Sequence, residues 1–196
     1  MAHKRIRMLV PETKTYSEHM AKSWKDSPKD LTRGYLRNMV RKPFHFTASG
    51  YVAHKGRVLL VQHEELKKWL PPGGHMLTDG AGRFIESPEE AAKREIGEET
   101  GFDVEIRASR YPTLDPNHEM LAMPESMHIH RIDEEHDHFG FEYFCILKGE
   151  RPDAKPEEKY RWFTEKELET YSPNALPLIP DDVRAMALKA IELLCS

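Results

Sequence analysis

The stretch from Glu86 to Phe102 carries a helix together with both of its ends. Ser87 suits an N-cap, because its hydroxyl can accept from a backbone N–H that the first turn leaves without a partner. Pro88 fits the first helical position, and Glu90 completes a capping box by reaching back to Ser87. At the other end Gly101 suits the left-handed conformation that closes a helix, with Phe102 folding back on it. The spacing predicts a helix over Ser87 to Thr100.

The segments around this helix have the period of strands. Phe46 to His54 and Arg57 to His63 are β-rich runs on either side of a Lys55-Gly56 turn, which predicts a hairpin. Trp69 to Gly74 reads as a short extended segment that breaks at its glycines, and residues 75–85 as a loop. Val104 to Tyr111, Met127 to Ile132, Phe139 to Leu147 and Tyr160 to Phe163 read as further strands, with a loop over Pro112 to Pro124. A Thr164 cap opens a short helix to Tyr171. Pro180-Asp181-Asp182 opens a last helix, with Val183, Met186, Ala187, Ala190, Ile191 and Leu194 on one face. Ahead of all this, residues 15–41 read as helical, broken near Ser27-Pro28, with Leu31, Tyr35, Leu36 and Met39 at helical spacing. The division is an N-terminal helical extension over 1–43 and a domain over 44–196. Strands with few, well-separated helices point to an α/β layered domain.

Within the capped helix Glu95, Glu98 and Glu99 stand at i, i+3 and i+4, so their carboxylates share one face. Such a face is often no more than solvated surface. Three like charges this close also repel, and a hard divalent cation removes the conflict. Mg²⁺ and Mn²⁺ take oxygen ligands, and Mg²⁺ commonly binds one or two carboxylates plus substrate phosphates. Arg94, turned about 100° round the helix, can pair with a neighbouring carboxylate and hold it in place.

Gly80, five residues, Glu86, seven residues and then Arg94 to Phe102 (REIGEETGF) resembles the complete Nudix box, with every fixed position matched. Leu70-Pro-Pro-Gly-Gly74 resembles the strand that leads into it, and Trp162-Phe163 followed by a helix from Thr164 resembles the family's closing segment. The resemblance covers about residues 44 to 175. It implies an α/β/α sandwich with a mixed sheet, and a Mg²⁺-dependent enzyme, with Mn²⁺ as a substitute, that cleaves nucleoside diphosphates linked to another group. It implies Arg94, Glu95 and Glu98 as catalytic residues. Glu95, Glu98 and Glu99 would be metal ligands with a backbone carbonyl at Gly73 or Gly74; Glu95 could instead handle the attacking water, and Glu86 would support the site or Arg94. One departure stands out. Eleven residues separate Gly74 from Glu86 where the family has five, which implies an insertion of about six residues over 75–85 and makes Gly74 the structural counterpart of the box glycine.

Family members often borrow an acidic residue from outside the box, and Glu142 and Glu158 are the candidates. His128, His130, His136 and His138 form two HxH pairs around Asp133-Glu134-Glu135. On a strand, residues i and i+2 share a face, so each pair could pinch a metal. They could equally form a polar hairpin, or contact phosphate or a base above the substrate. Glu142, His128, His130 and His138 are accordingly the substrate-binding candidates.

The composition narrows the alternatives. Net charge is −4, which gives no general drive towards nucleic acid and weakens an RNA-directed reading. Cys145 and Cys195 are too few and too far apart for a disulfide framework. No apolar run approaches the ~20 residues that span a bilayer, and the cytoplasm is the expected location. The competing function is a nucleotide- or metabolite-binding module without turnover, which would have no need of the intact carboxylates. The N-terminal helices could pack on their own domain or across a homodimer.

Overall fold

The structure, a computed structural model, describes residues 43–195 apart from 114, 133–135 and 150–158. The helical segment expected at 15–41, Glu158 and the Asp133-Glu134-Glu135 turn lie outside the described residues.

Strand β1 (Phe44–His54) turns at Lys55 and Gly56 into β2 (Arg57–His63). Both turn residues have positive φ, 47° and 71°, and that conformation matches the twist of a two-residue hairpin. The register sets Val52 opposite Leu59 and His54 opposite Arg57. Next come β3 (Lys68–Leu70), paired with β2, and β4 (Gly73–His75), paired with β1. The two glycines were expected to break the extended segment; they are instead paired members of β4. A β-carbon on Gly73 would stand 2.5 Å from Ser49 Cβ and 2.6 Å from the Ala48 carbonyl oxygen, so a glycine is what lets this strand lie against β1.

Helix α1 (Pro88–Thr100) has the expected ends. The Ser87 side chain accepts from the Glu90 N–H, and Glu90 accepts from the Ser87 N–H at 2.8 Å. Gly101 is left-handed, with φ 74°. Strand β5 (Val104–Ile106) is shorter than the sequence predicts. It pairs with the C-terminal end of β7 (Asp137–Leu147), and β6 (Ser126–Arg131) takes the same edge from Glu142 back to Asp137. Once that edge is occupied, residues 108–111 have no partner strand and run exposed. Strand β8 (Tyr160–Thr164) lines β2. Helix α2 (Glu165–Thr170) starts from a Thr164–Glu167 capping box, and α3 (Asp181–Cys195) ends the described chain.

The sheet is mixed: β1 runs parallel to β7 and antiparallel to β2 and β4. Alternation along β1 fills two separate cores. Ala48 and Val52 face α1 together with Leu59, Val61, Tyr143 and Cys145, against Ala91, Ala92 and Ile96. Tyr51 and Ala53 face the other way with Val58, Leu60 and Phe144, against Leu168 of α2 and Val183, Ala187, Ala190 and Ile191 of α3. This is the expected sandwich of helices on both faces of a mixed sheet. Cys145 is a free buried thiol, pushed up to about 12 by burial, and Cys195 is also free. No helix among the described residues is long and apolar enough to cross a membrane.

Candidate active site

The α1 core fixes which way the helix presents its polar side. Ile96 is fully buried, and its Cδ1 lies 2.6 Å from where a β-carbon on Gly50 would stand. With Ile96 locked into the sheet, Arg94, Glu95, Glu98 and Glu99 are directed towards β4 and the chain leaving it.

Arg94 is the hub of this cluster. Its Nε donates to Glu86 Oε2 at 3.0 Å and one terminal nitrogen donates to Glu86 Oε1 at 2.8 Å, a two-pronged grip. The other terminal nitrogen donates to Glu95 at 2.7 Å and Glu98 at 3.1 Å. A further bond reaches the His75 carbonyl at 3.0 Å. Sequence reasoning expected one carboxylate partner; the guanidinium binds three and the backbone of β4 as well. The Glu86 bonds, then those of Glu95, raise the Arg94 pKa further, and Arg94 in turn holds Glu86 below the usual carboxylate range. Glu86 also accepts from the Leu77 N–H at 2.6 Å.

The glycines of β4 complete the cluster. The Gly73 N–H donates to Glu99 Oε2 at 3.0 Å. The Glu95 carboxylate packs on Gly74: a β-carbon there would stand 2.5 Å from Glu95 Oε1. A cleft of about 220 Å³ opens at Gly73 and Glu99, lined also by Gln62, His63, Leu70 and Lys159. Gly80 has nothing within 4 Å of an added β-carbon, so the glycine lying against the carboxylates is Gly74. The intervening loop is a small closed unit. Asp79 accepts from the Ala81 and Arg83 N–H groups at 2.8 and 3.0 Å, and the Ile85 N–H donates to the Leu77 carbonyl at 3.1 Å.

Three carboxylates, those of Glu86, Glu95 and Glu98, surround one guanidinium, and a fourth, that of Glu99, is held by the Gly73 N–H. Glu99 is held above the ordinary carboxylate range by burial first and then by Glu95 and Glu98, with the Gly73 N–H acting in the opposite sense. Glu98 keeps 60% of its side chain exposed, so an oxygen ligand is open to solvent. An excess of hard, partly exposed oxygen donors fits a divalent cation of the Mg²⁺ type.

The other candidates lie elsewhere. Glu142 belongs to the α3 face of the sheet, where it accepts from the Tyr51 hydroxyl at 3.3 Å and has His128 Nδ1 at 4.0 Å. Burial raises its pKa, opposed by His128 and Tyr51. The His128 ring lies over Gly140, 2.7 Å from the place of a β-carbon. His130 and His138 are cross-strand neighbours on the same face, with ring centroids 5.2 Å apart. The sequence-based set therefore divides: Arg94, Glu95, Glu98, Glu99 and Gly74 come together, while Glu142 and the three histidines form a separate band. Two residues that sequence reasoning passed over join that band. His75 Nε2 lies 3.1 Å from His138 Nε2, and the His45 ring lies 4.1 Å from that of His136.

Comparison with known proteins agrees with the architecture. The family model described as the NUDIX domain matches residues 44–184. Among solved structures, a NUDIX-family hydrolase from Clostridium perfringens is 29% identical, with a TM-score of 0.57, over 78% of this chain and 99% of that one. A NUDIX hydrolase from Nitrosomonas europaea shares the fold at 17% identity and TM-score 0.51, over 76% of this chain and 89% of that one. No curated protein gives a significant sequence match.

Proposed function

Because this chain belongs to the Nudix family and is a hydrolase of that family, we propose that it hydrolyses the diphosphate linkage of a nucleoside diphosphate joined to another group, with Mg²⁺ as cofactor and Mn²⁺ as a substitute. The observation that carries this reading is the Arg94 hub, which holds Glu86, Glu95 and Glu98 beside the Gly73-Gly74 backbone.

In this reading Glu98 and Glu99 are the principal metal ligands, and the backbone of Gly74 supplies a further oxygen. Bound there, the cation would polarise a phosphoryl oxygen and lower the pKa of a water. Glu95, pressed between Gly74 and Arg94, stands as a further ligand or as the proton acceptor for that water. Arg94 fixes where the Glu95 and Glu98 oxygens stand, and Glu86 fixes Arg94. The Gly73 N–H orients one Glu99 oxygen and leaves the other for a ligand.

The test is a hydrolysis screen with Mg²⁺ and with Mn²⁺ over nucleotides and their conjugates, run on the wild type beside Glu98→Gln and Glu99→Gln. Turnover in the wild type and a fall of roughly 10²-fold or more in the variants is the expected result. A wild type that binds a nucleotide but turns over nothing would make the chain a binding module. Variants with full activity would remove Glu98 and Glu99 from the site.

A further inference from the structure

Four imidazoles from three parts of the fold converge on the α3 face of the sheet. His45 comes from β1, His75 from β4, His138 from β7, and His136 from the residue just ahead of β7. One ring nitrogen from each lies within 4.8 Å of those of the other three. Strand register explains the meeting. β1 and β7 run parallel with His45 opposite His138, and β4 runs antiparallel with His75 opposite Thr47, two residues along β1 from His45. Side chains two apart on a strand share a face.

From this convergence we infer that His45, His75, His136 and His138 form a second metal site, one that takes a zinc-class divalent ion through nitrogen ligands alone. The donor type separates it from the carboxylate cluster. Imidazole suits zinc, copper, nickel and iron, whereas Mg²⁺ and Ca²⁺ require oxygen. Geometry supports it too. Zinc bonds imidazole nitrogen at about 2.0–2.1 Å, so tetrahedral ligands stand roughly 3.3 Å from each other. The His75 and His138 Nε2 atoms are already 3.1 Å apart, and the remaining gaps close with small side-chain rotations, since His45 and His75 are exposed. Burial first, and then the neighbouring imidazoles, push His138 down to about 4 and hold His75 below its ordinary value, in the sense that favours the neutral, ligating form of these two rings.

The site would act as a clip. It joins the start of β1, the end of β4 and the start of β7, and β4 is the strand that presents Gly73 and Gly74 to the carboxylates. His75 belongs to both centres, its ring to the histidine cluster and its carbonyl to Arg94.

The test uses the full chain stripped of metal by a chelator and titrated with Zn²⁺ by calorimetry and with Co²⁺ by visible absorption. The expected result is one Zn²⁺ per chain and the intense cobalt bands of a four-coordinate site. His45→Gln and His138→Gln, checked for folding by circular dichroism, should each weaken Zn²⁺ by more than the roughly 10–100-fold typical of losing an outer hydrogen-bond partner of a metal ligand. Glu98→Gln should leave Zn²⁺ binding intact. His45 is exposed, so its variant keeps the test open if His138→Gln does not fold. Equal Zn²⁺ affinity in wild type and His45→Gln, or loss of Zn²⁺ in Glu98→Gln, would overturn the proposal.

Discussion

Glu95 and Gly74 touch so closely that a single methyl group cannot fit between them: a β-carbon on Gly74 would stand 2.5 Å from one carboxylate oxygen and 2.7 Å from the other. Its neighbour Gly73 is equally crowded, but by Ser49 and the Ala48 backbone. Gly74→Ala can be relieved by moving a side chain, Gly73→Ala only by moving a strand. Gly74→Ala should therefore lower kcat by on the order of 10²-fold, through misplacement of Glu95, with little change in Tm. Gly73→Ala should lower Tm as well. Thermal melts and steady-state kinetics on the two variants distinguish these outcomes, and equal Tm losses would contradict the assignment.

Arg94 binds three carboxylates and a carbonyl, and a lysine cannot reproduce that fork. Arg94→Lys should abolish most activity while Arg94→Met also destabilises, because Glu86, with 10% of its side chain exposed, loses its partner. A cost of about 1–3 kcal/mol in urea unfolding is expected for Arg94→Met. Full activity in Arg94→Lys would show that a point charge suffices there.

The raised Glu99 pKa has a definite sign in stability. The folded chain holds this proton more tightly than the unfolded chain, so stability falls as pH rises from the ordinary carboxylate value to the raised one, and stays lower above it. Replacing Glu99 by Gln removes that slope. The Tm of Glu99→Gln minus that of the metal-free wild type should therefore increase with pH across this window. Mg²⁺ should stabilise the wild type more at neutral pH than at acid pH. A Tm difference that is flat with pH would contradict the raised Glu99 pKa.

Gly80 matches the spacing of the family box but stands in open space. Gly80→Ala should change stability by less than about 0.5 kcal/mol and leave kinetics unaltered. A marked loss of activity would place the loop over the reacting groups.

Much of this was legible in the sequence, and the exceptions have physical reasons. The α1 helix was readable because Ser87, Pro88, Glu90 and Gly101 act within a few residues of themselves. The β1–β2 hairpin was readable from two β-rich runs around Lys55-Gly56, whereas the two cores show only once the register sets which side chains share a face. The length of β5 was not readable, because it depends on where β6 takes over the β7 edge. The direction of Glu142 required a register that its own strand does not encode. The histidine quartet was half visible as the His136-x-His138 pair. His45 and His75 give no local signal, since only the parallel pairing of β1 with β7 and the close approach of β4 bring them there.

The Ile85-to-Leu77 bond means that the loop between β4 and α1 leaves and returns at nearly the same point. Glu86, immediately after it, is tied to the Leu77 N–H. Closing a longer loop between fixed ends costs only about 0.6 kcal/mol per doubling of its length. The segment is therefore an exchangeable cassette: residues can be trimmed, added or grafted beyond that neck while Glu86 and Arg94 stay anchored.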